Sequence, residues 1–275
     1  MKLEALFQNP HALPTAPKVV EELINSFNNA AVSTEEIAKK VSTDPVLSAK
    51  LLRLANSAYY HVSRSIGTVE DAVLMLGFVT VRTLVISSGL VSGFKAVPGL
   101  DLKQFWRYSL HTAVSAKWIA KKTGENTDLA FTIGMMHAIG QLVLHSAMPE
   151  QAMQLDKIAP PLDARRLDAE MASLGYCFAD VGAELARRWK FPEPFSDAIG
   201  AFPNPLTATP PNRMAAVVHL AAWCARVDEA KLTAEEISGC YPTEVADELG
   251  LAPNALVDDM PSLSDLSAGL EELVK

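Results

Sequence analysis

A chain of 275 residues that is 49% hydrophobic and 20% charged has the composition of a folded protein, long enough for one large domain or two small ones. Its formal charge of −8 argues against a general attraction to nucleic acid or to an anionic membrane, and neither is expected as a partner.

The first 16 residues form a short lead-in ending in Leu-Pro-Thr-Ala-Pro. Glu4, Pro10 and Pro14 interrupt any apolar core of a signal peptide. Pro17 opens a predicted helix with Val20, Leu23, Ile24 and Phe27 on one face. Ser33 and Glu36 form a capping-box pattern for a short helix with Ile37, Ala38 and Val41 inward. Asp44 and Pro45 then provide an N-cap and a first helical position that needs no N–H. Leu47, Leu51, Leu54 and Ala58 share the apolar face of that helix. Its far end, Asn56, Ser57, Tyr59 and Tyr60, is unusually polar and aromatic.

Val69, Ala72, Val73 and Leu76 predict a further helix stopped by Gly77. Val79–Phe94 is apolar almost all round and should be central. No uncharged apolar run of about eighteen residues appears, so no membrane span is expected. Pro98 and Gly99 mark a boundary between residues 1–97 and a second helical part at 98–230. That part holds predicted helices at Leu102–Lys122, Asp128–Ser146, Met148–Ile158, Asp163–Leu174, 178 to the stop at Pro192, and from an Asn212 cap to Val227. Residues 231–275 are read as an acidic, partly helical extension with one weak helix at Leu263–Val274. No period-two alternation is sustained, so the fold class is all-α.

The chemistry-bearing residues are sparse. Cys177, Cys224 and Cys240 are far apart and without zinc-finger spacing, so reduced thiols in a cytoplasmic compartment are expected. No nucleotide-binding loop or nucleophile elbow is present. His111 and His137 sit on successive long helices, where two imidazoles could share a metal ion. Two neutral ligands make a weak site, and a hard hydrolytic ion also wants carboxylates. The residue after His137 is Ala138, which offers none. His145, His219 and the basic 186–190 segment read as structural.

The segments 13–23, 33–60, 65–87, 134–144 and 175–199 together resemble the HDOD domain, a bacterial signalling relative of the HD-type metal-dependent phosphohydrolases. The resemblance implies an N-terminal helical subdomain packed on a C-terminal HD-hydrolase-like helical subdomain. It places the first metal histidine at His111 and the His-Asp pair at His137 and Ala138. Further histidines of two-metal relatives fall at Phe178 and at Phe202–Pro203, and the final ligand aspartate falls near Ala222. Both core carboxylates are thus absent, which removes charge from the centre of the site.

The expectation is therefore a non-catalytic regulatory module acting through protein–protein contacts. No cofactor is expected beyond a weakly held divalent metal at His111 and His137. By resemblance, its partners are sensor kinases, response regulators or cyclic-dinucleotide enzymes. The alternative is a metal-dependent phosphohydrolase in which Asp180, Glu184 or Asp197 replaces the lost carboxylates. The Asn56–Tyr60 end is expected to fix how the halves meet, with Asn56 hydrogen-bonded across the junction and Tyr59 or Tyr60 packed into it.

Overall fold

The computed structural model describes residues 3–8, 18–25, 33–94 and 96–274, and no strand occurs among them. Phe27 of the predicted stripe lies outside them. The N-terminal helices are α1 (Leu3–Leu6), α2 (Lys18–Asn25), α3 (Thr34–Ser42), α4 (Pro45–Ala55), α5 (Val69–Leu76) and α6 (Phe78–Gly93). Their starts follow the sequence signals. Ser33 accepts from the Glu36 amide, and Asp44 accepts from the amides of Val46 and Leu47 at 2.9 and 3.0 Å. Each such cap satisfies amides that the helix itself cannot. Val20, Leu23, Ile24, Leu51 and Leu54 are buried. Helix α6 is buried on nearly every side and packs against α2, α4, α5 and the next half.

The second half contains α7 (Leu102–Thr123), α8 (Thr127–Met136), α9 (Ile139–Ala147), α10 (Pro149–Ile158), α11 (Arg166–Leu174), α12 (Phe178–Arg188), α13 (Glu193–Ala201) and α14 (Arg213–Ala230). The expected single helix over 128–146 is in fact two, α8 and α9, separated at His137 and Ala138. Hydropathy is continuous through the break, so the sequence pattern does not reveal it. Residues 127–147 together are long and apolar enough to cross a membrane by composition, but almost all of that run is buried in the protein.

Two close backbone approaches fix this region. A Cβ at Gly134 would lie 2.6 Å from Ala113 Cα, and one at Gly140 would lie 1.9 Å from the Phe178 carbonyl oxygen. Only glycine lets α8 meet α7, and α9 meet α12, so closely.

The extension is more structured than expected. It forms α15 (Ala234–Cys240), α16 (Thr243–Glu248), α17 (Ala255–Asp258) and α18 (Leu263–Ser267), then a 3₁₀ turn at Glu271–Val274. The predicted helix over 263–274 is broken at Gly269, which has φ 86°. Val245, Ala246, Leu249 and Leu256 close a second apolar cluster with α14. Leu263, Leu270 and Leu273 enter the main core shared by both halves. Segment 263–274 packs on α4, α6 and α7, so it straps the halves together.

Candidate functional site

A cavity of about 310 Å³ opens among α7, α9, α11, α12 and α14. Its wall includes Ala138, Phe178, Phe202, Pro203 and Ala222. These are the positions to which the resemblance assigns the missing carboxylates and the additional histidines. By that resemblance the cavity lies among the positions of an HD-type metal centre, but neither His111 nor His137 lines it.

The two predicted histidine ligands are held by other partners. His137 is buried in the break between α8 and α9, and its Nδ1 lies 2.7 Å from the Gly134 carbonyl oxygen. A carbonyl only accepts, so Nδ1 carries the proton and Nε2 the lone pair. Nε2 is buried without a hydrogen-bond partner. Tyr108 and Phe202 meet the imidazole edge to face at centroid distances of 5.0 and 5.4 Å. Burial pushes the His137 pKa down to about 4, against the opposing effect of the Gly134 carbonyl. His111 lies one turn beyond Tyr108 on α7, with Nδ1 3.3 Å from an Asp228 carboxylate oxygen. Burial lowers its pKa, and Asp228 and Glu229 oppose that shift.

Among the described residues, no group of three His, Cys, Asp or Glu side chains is placed to hold a metal ion. The proposed replacement carboxylates have other roles. Asp180 accepts from the Cys177 amide at 2.9 Å, Glu184 pairs with Arg187 and Arg188, and Asp197 is exposed. None of the three lines the cavity. This donor set does not fit a hydrolytic divalent ion, which needs several hard oxygen ligands.

A buried ionic network supports the wall. Arg166, 1% exposed, donates from Nε to Glu170 at 2.6 Å and from Nη1 to Asp156 and to the Ala159 carbonyl. The second Glu170 oxygen accepts from the Phe178 amide at 2.6 Å. That bond caps the start of α12 and helps to set Phe178 on the cavity. Burial raises the Glu170 pKa, with Arg166 opposing it. Asp156 also lies 3.0 Å from Nε2 of the fully buried His145. The network joins residues of α9, α10 and α11 that have no common spacing in sequence.

Sequence reasoning also missed the face that α14 turns to the cavity. His219, Ala222, Trp223 and Arg226 all line it, at i, i+3, i+4 and i+7. That spacing was visible in the sequence as one helical face. His219 Nδ1 donates to the Phe202 carbonyl at 2.9 Å, which leaves its Nε2 as an acceptor.

The Asn56–Tyr60 end is partly as expected. Asn56 does not bridge the halves: its Nδ2 donates to the Leu52 and Ile66 carbonyls, each at 2.8 Å, and its Oδ1 accepts from the Ile66 amide at 2.7 Å. An amide pairs well with the backbone of a nearby turn, and the turn before α5 lies within reach. Tyr59 does meet the second half, where Lys117 of α7 lies 5.3 Å from its ring centroid. Tyr60 stacks edge to face on Tyr59 at 4.9 Å. Its pKa is raised by burial, then by Tyr59 and Asp128. Gly269 packs against Ser57 and the Tyr59 amide.

Comparison with known proteins bears on the family and the fold. The HDOD domain model matches residues 13–205. A Shewanella amazonensis SB2B structure, provisionally described as a phosphohydrolase, is 33% identical. The match covers 98% of this chain and 97% of that one, with a TM-score of 0.79. An HDOD domain protein of unknown function from Geobacter sulfurreducens is 23% identical over 98% and 96% of the chains, with a TM-score of 0.77. A Treponema pallidum (strain Nichols) protein described only as uncharacterised is 29% identical over 68% of this chain. This chain spans 37% of that protein's length. The family match covers well over half of the sequence and the fold agrees along its whole length, so the chain belongs to the HDOD domain family.

Proposed function

We propose that the protein is a non-catalytic regulatory module that works through contacts with other signalling proteins. The observation that carries this reading is that Ala138 and Ala222 line the cavity; by the resemblance, the metal-binding carboxylates of an HD hydrolase fall at position 138 and near position 222. Without them, a His111 and His137 remnant would neither hold a hard divalent ion well nor lower the pKa of bound water. Any metal held there would be weak and without turnover.

The partner class is that implied by the family: sensor kinases, response regulators or cyclic-dinucleotide enzymes. The N-terminal helices supply a candidate contact surface, because Val46 and Leu74 are 62% and 78% exposed on α4 and α5, which pack on each other.

Titration of Mn²⁺ into the purified chain tests the carrying observation. The wild type should show no stoichiometric site, and the double variant Ala138→Asp, Ala222→Asp should gain affinity. One tightly held equivalent in the wild type would count against the proposal.

A further inference from the structure

The cavity has chemistry of its own beyond the lost metal site. Arg226 lines it and makes no ion pair among the described residues. The cavity's Asp163 is already engaged by Arg165, with oxygens 3.1 and 2.7 Å from Nε and Nη2. The side-chain and backbone hydrogen bonds from Arg165, with a smaller contribution from the nearby Arg226 charge, hold the Asp163 pKa at about 2, so it stays ionised and paired with Arg165. Tyr108, Phe178, Phe202 and Trp223 give the wall flat apolar surfaces. His219 Nε2 and Asp168 add acceptors, because Nδ1 of His219 is committed to Phe202. Arg166 also lines the cavity, its Nη2 is buried without a partner, and an acceptor oxygen entering from the cavity is its simplest complement.

We propose that this cavity binds a small organic anion with a planar ring bearing N–H or O–H groups. Arg226 pairs with the anion, the aromatic wall takes the ring, and His219 and Asp168 accept from the ring's donors. A cavity of about 310 Å³ is at the lower end of the usual range for small-molecule sites, so the ligand is compact. Guanidinium groups favour carboxylate and phosphate alike, and the two are separated by the choice of probe. The inference rests on the regulatory reading only in that the ligand leaves intact.

The test is calorimetric titration of the full chain with 4-hydroxyphenyl phosphate, 4-hydroxybenzoate and adenosine monophosphate, with hydroquinone, phenol and adenosine as the respective neutral controls. At least one anionic probe should bind saturably at one equivalent, and its neutral counterpart should bind at least about tenfold more weakly. Arg226→Gln should weaken that probe by about tenfold or more, the effect of losing one charged hydrogen bond. Ala138→Leu, which narrows the cavity without changing charge, should also weaken binding. The proposal is overturned if no probe binds, or if neither substitution weakens binding. Phosphate release from bound 4-hydroxyphenyl phosphate would instead refute the non-catalytic reading while supporting this site.

Discussion

The Nδ1–H of His137 donates to the carbonyl oxygen of Gly134, 2.7 Å away in the preceding turn. This bond fixes the imidazole in one tautomer, and burial keeps it neutral with a pKa near 4. In the unfolded chain the same group takes a proton near its ordinary value of 6.5. Stability is therefore complete above about pH 6.5 and falls as the pH drops toward 4, because the unfolded state binds the extra proton there. The full shift corresponds to roughly 3 kcal/mol. His219, also lowered by burial, adds a loss of the same sign. Urea unfolding across this range should show the slope, and His137→Leu should flatten it. An unchanged slope in that variant would assign the acid sensitivity to other groups.

Arg166 joins Asp156 and Glu170 at the base of the cavity. Replacing it with methionine leaves Glu170 buried and uncompensated, at a cost of about 3–5 kcal/mol. The double variant Arg166→Met, Glu170→Leu should recover much of that loss. Chemical denaturation measures both, and equal losses in the single and double variants would contradict the coupling.

Asn56 makes three hydrogen bonds, and the two to Ile66 close the turn between α4 and α5. Asn56→Ala should cost about 2 kcal/mol, because it strands the backbone groups of Ile66. A loss below about 0.5 kcal/mol would show that water replaces the side chain at little cost.

Leu270 is fully buried in the core shared by both halves. Leu270→Ala should cost about 2–5 kcal/mol. Unfolding should remain a single transition, with far-UV circular dichroism of the whole chain coinciding with the fluorescence of Trp106 and Trp118 on α7, since the strap belongs to the same core. Separate transitions would show that the halves unfold independently.

Much of the fold was legible because helix starts are written in local chemistry. Asp44, Ser33 and Asn212 cap where their side chains can reach free amides. The break at His137 was not legible, because it depends on a side-chain bond and on Gly134 packing against α7. The helices α15 to α17 were missed for a different reason. Each is too short to show a helical period, and their apolar residues find partners only on α14 and its neighbours.

At the candidate site, positions that the resemblance assigns to lost ligands, Ala138, Phe178, Phe202, Pro203 and Ala222, line one cavity. Arg166 was invisible because its partners come from separate segments. Arg226 was available as the end of the His219, Ala222, Trp223 face, but a lone arginine on an alanine-rich helix carries no signal until the cavity beside it is seen.

The central claim is that this HD-like cavity no longer performs metal-dependent hydrolysis. The most direct measurement is hydrolysis of p-nitrophenyl phosphate and its bis-ester by the purified chain in excess Mn²⁺, beside a His137→Ala variant. The account predicts no turnover above buffer for either protein. Turnover by the wild type that His137→Ala abolishes would contradict it.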